Sequence, residues 1–313
     1  MAKVSVCVPS RNETYLQRTI DDVLTKAAGE VEVIVVLDGA PPVEPLREDA
    51  RVRTIYNEQA KGIGWASWDA AQVATGDYLM KLDAHCLLAE GYDEVLKAEC
   101  AWDWLLVPSR YQLKEQEWRC GYGPIEYLYM TYPWLEEPQF GGGFHGKKWL
   151  GENGLEGRYF FRENRDKAIL IDDMMAFQGS LWFMHRDNFL RLGGVDRRYW
   201  LTQEAPSIGM KVWESGGRCA ICKKTWYAHL HKGQAHGRGY PMSRRQQIED
   251  NFYSADYWMH DRWKSRKRKR GITWWVDHFW PIPGWPEDWD DPKYQEVFLH
   301  SEGESGRHKQ ADL

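Results

Sequence analysis

Asp83 and His85 stand at i and i+2 where an apolar run, residues 78–82, comes to an end. Side chains so spaced on extended backbone point the same way, so a hard carboxylate oxygen and a borderline imidazole nitrogen are presented together. That is half of a site for a divalent cation. One Asp and one His in a turn also serve to satisfy local backbone groups, and the spacing alone leaves both readings open. A second metal-type spacing, Cys219-x-x-Cys222, has no partner pair elsewhere, which disfavours zinc or redox use. The third chemical signal is charge. Arg262, Lys264, Arg266, Lys267, Arg268, Lys269 and Arg270 place seven cations in nine residues of a chain whose net charge is −5, so everything else sums to −12. Such asymmetry implies a local anionic partner rather than a general positive coat.

The elements that must position Asp83 and His85 are readable around them. Residues 4–8 are an apolar, β-branched run that empties into Pro9-Ser10-Arg11-Asn12-Glu13, as a buried strand does into a polar loop. Leu16, Ile20, Val23 and Leu24 then fall at helical spacing. Residues 31–37 predict a second buried strand closed by Asp38-Gly39, residues 52–56 a third, 65–74 a helix and 78–82 a last strand. This order predicts a largely parallel sheet with helices on its faces, and ligands of such sheets bind beyond the carboxyl ends of the strands. Residues 9–13, Asp38-Gly39 and Asp83-Ala84-His85 would all gather there. Neither a Gly-x-Gly-x-x-Gly nor a Gly-rich loop ending in Lys-Ser/Thr follows the first strand, which disfavours a dinucleotide or ordinary NTPase site.

With 313 residues, 43% hydrophobic and 28% charged, the chain suits one large α/β domain with an elaborated tail, or two domains, and disorder throughout is excluded. No apolar run reaches the roughly 18–20 residues that cross a bilayer. Met1-Ala2-Lys3 leads straight into a strand-like run, unlike a signal peptide. The six cysteines then read as reduced thiols, and the expected location is the cytoplasm, or the host cytoplasm if the gene is viral.

Residues 4–13 (VSVCVPSRNE), Arg18-Thr19-Ile20, 33–38, 62–71 and 76–86 (GDYLMKLDAHC) together resemble the nucleotide half of GT-A glycosyltransferases, among them the polypeptide N-acetylgalactosaminyltransferases and related family 2 enzymes. The resemblance continues in order. Phe177-Gln178-Gly179-Ser180 through Leu192-Gly193-Gly194-Val195-Asp196 is similar to the acceptor-side segment. Glu204 stands nine residues before Trp213-Glu214-Ser215-Gly216-Gly217, as the family's first motif Glu does, and His229 follows Gly217 by twelve. Residues 251–261 (NFYSADYWMHD) resemble a helix beyond the catalytic core. The chain departs from the family where Trp200-Leu201-Thr202-Gln203-Glu204-Ala205 replaces Trp-Gly-Gly-Glu-Asn, and the second Glu of that motif falls on Ser207. Too few residues follow Asp261 for a lectin-like β-trefoil.

The resemblance implies an α/β fold of the GT-A type, with a mostly parallel nucleotide-binding sheet flanked by helices. Residues 1–240 would form the catalytic domain (1–100 the nucleotide-sugar half, 101–240 the acceptor half) and 241–313 a basic, helical and Trp-rich extension. It implies Mn²⁺, or Mg²⁺, held by Asp83, His85 and His229, with His231 the rival third ligand. The donor would be a UDP-sugar whose nucleotide meets Pro9, Arg11, Glu13, Asp38, Gly62 and Asp83. Asp83 and Glu204 would be the catalytic carboxylates, Glu204 on the acceptor side, in a transferase moving a hexosyl or pentosyl group to a hydroxyl.

For the acceptor, Trp258, Trp263, Trp274, Trp275, Trp280, Trp285 and Trp289 accompany the basic run from Arg262 to Arg270. Cations beside aromatics suit nucleic acid, where phosphates meet Lys and Arg and bases stack. They equally suit a solvated basic helix followed by tryptophans packed on the core. A hydroxymethylated pyrimidine in DNA, taken from the stack, is therefore one acceptor; a glycan precursor and a protein side chain are the others. Two further classes stay in view: a nucleotidyltransferase, which would need a Gly-rich basic loop after the first strand, and a non-catalytic nucleotide-sugar-binding module, which would be expected to lack Asp83, His85 or Glu204. No obligate protein partner is implied. Residues 110–165, rich in Gly and aromatics, fit acceptor-facing loops or irregular surface, and residues 301–313 a frayed tail.

Overall fold

Valine and isoleucine without alternation mark strands covered on both faces, and β1 (Val4–Ser10) and β2 (Val31–Asp38) are buried along their whole length. The computed structural model describes residues 2–121, 123–125, 127–134, 142–149, 168–232, 239–292 and 294. Between the two strands runs α1 (Leu16–Lys26), whose Leu16, Ile20 and Val23 form the predicted apolar face. Next come β3 (Val52–Asn57), α2 (Ile63–Val73) and β4 (Tyr78–Leu82). Ala66, Ala70 and Ala71 of α2 are fully buried, and their small side chains let the helix lie close on the sheet.

The chain continues through β5 (Cys86–Leu88), α3 (Tyr92–Glu99), β6 (Trp104–Lys114), β7 (Arg119–Cys120), β8 (Leu128–Met130), β9 (Gly146–Lys148), β10 (Ile171–Asp173) and β11 (Leu181–His185). It ends, among the described residues, with α4 (Arg186–Arg191), α5 (Glu204–Glu214), β12 (Arg218–His229), α6 (Arg244–Met259) and α7 (Ile272–Phe279). The main sheet has the order β10-β12-β6-β11-β4-β1-β2-β3, with β5 on β12 and β7 on β6. Strands β3, β2, β1 and β4 are parallel, as the sequence predicts, and β11 runs antiparallel between β4 and β6.

The short strand β5 begins directly after Asp83-Ala84-His85 and pairs antiparallel with the far end of β12, setting His229 opposite Cys86. The Leu230 amide closes the register by donating to the His85 carbonyl at 3.1 Å. Residues distant in sequence are thereby fixed side by side.

The tail decides between its two readings element by element. Trp258, Trp263, Trp275, Trp285 and Trp289 are buried in the same apolar cluster as the sheet. The indole of Trp285 donates to the Met130 carbonyl at 2.8 Å, and the Tyr132 hydroxyl donates to the Trp289 carbonyl at 2.8 Å. Trp280 is exposed. The expected basic helix does not form: residues 262–270 are irregular chain between α6 and α7. Seven like charges would repel one another at helical spacing, and here several find carboxylates and carbonyls of the core instead. Parts of the 110–165 stretch and all of 301–313 lie outside the described residues, whereas Tyr127, Met130, Tyr132, Phe144 and Trp149 of the former pack into the core. Cys219 and Cys222 are buried free thiols. No described helix is long and apolar enough to cross a membrane.

Candidate active site

Lys81, Asp83 and His85 follow one another at two-residue spacing out of the carboxyl end of β4. With His229, delivered by the β5–β12 pairing, Asp83 and His85 form a group whose ligand atoms all lie within 4.8 Å of one another. Asp83 Oδ2 is 3.2 Å from His229 Nε2 and 3.9 Å from His85 Nε2, and the two ring nitrogens are 3.0 Å apart. Two imidazole nitrogens facing each other at that distance repel unless a proton or a cation lies with them. The donor set, two borderline nitrogens and one hard oxygen, fits Mn²⁺ better than Ca²⁺. Among the described residues no other His, Cys, Asp or Glu cluster is close enough to hold an ion.

The surroundings keep these groups in ligating forms. Burial pushes the His229 imidazole down to about 3, against the hydrogen bond with Asp83, so the ring is neutral at physiological pH. Burial would raise the Asp83 carboxyl, but the Lys81 ammonium and the hydrogen bond with His229 overrule it and hold Asp83 far below the usual carboxylate range. Glu13 Oε2 lies 3.2 Å from His85 Nδ1. A ring that donates through Nδ1 to a carboxylate turns its Nε2 lone pair the other way, toward Asp83 and His229. Glu13 in turn pairs with Lys232. Burial would raise its carboxyl, yet the His85 hydrogen bond and the Lys232 ammonium keep it lowered.

His231 is not part of the cluster. Its Nε2 accepts from Arg110 Nη1 at 2.7 Å, so that nitrogen is already engaged. Sequence spacing ranks His229 ahead of His231, and the strand register separates them.

Glu204 opens α5 and is 4% exposed. Its Oε1 accepts from the Trp182 indole at 3.0 Å, and its Oε2 lies 3.3 Å from Lys81 Nζ. The same ammonium lies 2.5 Å from Asp83 Oδ1 and donates to the Gly179 carbonyl. Lys81 therefore bridges the two carboxylates singled out from sequence, and it is 1% exposed. Desolvation would lower its ammonium, but Asp83 and Glu204 outweigh that and raise it. Burial leaves the Glu204 carboxyl above its ordinary value despite Lys81. Sequence reasoning passed over Lys81, though one signal was there: a lysine inside a strand otherwise reading Tyr-Leu-Met-Leu is a buried charge that must be paired.

The remaining predicted residues line the strand ends nearby. Pro9 is buried in β1 beside Val36. Arg11 donates to the carbonyls of Asp38 and Gly39 at 3.0 and 3.1 Å, joining two of the converging loops. The Asp38 carboxylate is fully buried and already engaged, accepting from Asn57 Nδ2 at 3.0 Å and from the Lys61 and Gly62 amides at 2.9 and 2.8 Å. It fixes the approach to α2 from within. Gly62 sits at φ 95°, where a Cβ would also meet the Trp200 carbonyl at 2.9 Å, so only glycine fits. The seven cations of 262–270 stand apart from this cluster, beside the far end of α5.

Comparison with known proteins bears on the class of the chain and its fold. Residues 5–156 match the profile described as Glycosyl transferase family 2. The chain is 34% identical over 292 residues to human polypeptide N-acetylgalactosaminyltransferase 6, covering 87% of this chain and 44% of that protein. It is 25% identical over 272 residues to a Drosophila melanogaster protein named putative polypeptide N-acetylgalactosaminyltransferase 13, covering 79% of this chain and 45% of that one. The chain thus spans less than half the length of these curated relatives. The crystal structure of GalNAc-T7 with UDP, GalNAc and Mn²⁺ superposes with a TM-score of 0.62 at 18% identity, covering 88% of this chain and 56% of that one. That likeness establishes the fold as GT-A.

Proposed function

Because the chain is of the GT-A glycosyltransferase class, with a family 2 domain over residues 5–156, we propose that it moves a sugar from a UDP-sugar to a hydroxyl acceptor with Mn²⁺ or Mg²⁺ held by Asp83, His85 and His229. The observation that carries this reading is the meeting of those three side chains at the strand ends, within 4.8 Å, next to a buried Lys81–Glu204 pair. That the related GalNAc-T7 structure contains UDP and Mn²⁺ supports it. The hard step in such a transfer is departure of a diphosphate, and the bound cation would supply Lewis-acid stabilisation of that charge.

The chain's own residues do the rest. Glu13 orients the His85 ring, Lys81 keeps Asp83 ionised, and the strand-end loops carrying Pro9, Arg11, Glu13, Asp38 and Gly62 wall the nucleotide side. Lys81 and Trp182 hold one oxygen each of Glu204, which faces the acceptor. If the anomeric centre inverts, Glu204 is the general base; if it is retained, Glu204 orients the acceptor. Either role predicts that Glu204→Gln lowers kcat by about 10²-fold or more while changing the Kd for UDP by less than about threefold. Equal losses in both would remove Glu204 from this role.

The third ligand has its own test. His229→Ala is expected to weaken Mn²⁺ binding by at least roughly a hundredfold, and His231→Ala by less than about threefold, followed by the paramagnetic resonance signal of free Mn²⁺. The reverse ranking would make His231 the ligand. The proposal also sets the reaction in the cytoplasm, on an acceptor such as a hydroxymethylated base in DNA. Stimulation by a glycan precursor or a peptide in place of modified DNA would reassign the acceptor and leave the transferase.

A further inference from the structure

We infer that the loop 262–271 is a docking surface for the phosphates of a nucleic acid. The loop is built, not loose. Arg268 is clamped between two carboxylates, its Nε 3.1 Å from Glu214 Oε2 and its Nη2 on Asp261. Arg270 donates to the Gly217 carbonyl at 3.1 Å, and its guanidinium lies 3.8 Å from the centre of the Trp274 ring. The amides of Lys269 and Arg270 both donate to the Glu214 carbonyl, at 2.6 and 3.0 Å. Two arginines thus fasten the loop to the core.

Of the other five cations, two are engaged and three are not. Arg262 pairs with Asp256, and Lys267 reaches the Arg191 carbonyl. Lys264, Arg266 and Lys269 are exposed, and among the described residues none of their side chains meets a carboxylate. Trp263, Lys264, Arg268, Lys269 and Gly271 surround a concavity of about 370 Å³. These cations belong to a protein whose other residues sum to a negative charge.

The chemistry of the face selects the occupant. A lipid-binding surface needs apolar anchors among its cations, and the large exposed apolar residues described here, Val43, Tyr56, Trp65, Trp102, Leu170 and Trp280, all lie off the loop, while Trp263 is 8% exposed. The unpaired Lys264 and Lys269 beside the concavity, with exposed Arg266 between them in sequence on the same anchored loop, match the repeating phosphodiesters of a nucleic-acid strand. Helix α5 relates this face to the candidate site, since Glu204 is its first residue and Glu214 its last. At 1.5 Å per residue the two ends are separated by about 15 Å, roughly four to five base-pair steps of 3.4 Å. That a strand held on the loop carries the acceptor is a consequence that rests on the transferase reading.

The test uses the full chain and a fluorescein-labelled DNA duplex, with binding followed by anisotropy between 50 and 200 mM salt. Binding is expected to fall with a log–log salt slope of roughly −3 to −5. In the variant carrying Lys264→Gln, Arg266→Gln and Lys269→Gln the slope should flatten by about three, with affinity at 0.1 M salt down by roughly a hundredfold or more. UDP release from a UDP-sugar without acceptor should be unchanged in that variant. Absence of binding at 50 mM salt, equal binding by the triple variant, or binding of phosphatidylserine vesicles in place of duplex would overturn the inference. A chain that binds duplex as described but releases no UDP keeps this surface and loses the transferase reading; the two fail separately.

Discussion

Asp83→Asn is expected to reduce metal-dependent UDP release by about 10³-fold or more, the equivalent of roughly 4 kcal/mol. Of the three clustered residues Asp83 is the anionic one, and its two oxygens do different things: Oδ2 faces His229 and His85, while Oδ1 lies on Lys81. Asparagine keeps the size and removes the charge. The cation would then be left with two neutral imidazoles, and Lys81 with Glu204 alone. Because the substitution is nearly isosteric, near-ultraviolet circular dichroism should stay that of the wild type, which separates loss of the site from loss of the fold. Turnover within tenfold of wild type would mean that the cation is held elsewhere.

Much of this site is legible in sequence because it sits where strands stop. The apolar runs of β1, β2 and β4 announce themselves by composition, and the polar residues that follow each must meet at one sheet edge. His229 is different. It lies 144 residues from His85, and nothing local in either segment states that β5 will pair with β12, so the resemblance alone pointed to it. Lys81 was missed because a strand pattern is read for apolar residues, whereas its partners are Asp83 two residues on and Glu204 in another half of the chain. Asp38 was placed correctly at the strand end, but its hydrogen bonds to Lys61 and Gly62 depend on a loop path that sequence does not specify. In the tail, composition could not choose between stacked and buried tryptophans. The core chose, by covering five of them.

Lys81→Met should destabilise the protein by about 3–5 kcal/mol, the cost of leaving buried charge without its partner. Methionine fills nearly the same volume and is unbranched, so the change removes a charge without opening a large cavity. Glu204, 4% exposed, and Asp83 would then face each other across a site that has lost its cation. Urea unfolding of Lys81→Met gives the effect directly. Adding Glu204→Gln to the same chain removes one of the uncompensated carboxylates and should restore part of the loss, so the double variant is expected to be more stable than Lys81→Met alone. A single variant within about 1 kcal/mol of wild type, with no recovery in the double, would show that Lys81 does not couple the two carboxylates.

A cation held by Asp83, His85 and His229 would serve sugar transfer from a UDP-sugar. UDP release by the wild-type chain, measured across a panel of UDP-sugars with Mn²⁺ and again with the metal chelated by EDTA, tests it most directly. Release from at least one donor is expected with Mn²⁺, and none with EDTA. Release that is equal with and without chelator, or UDP-sugar binding with no release from any donor, would contradict it.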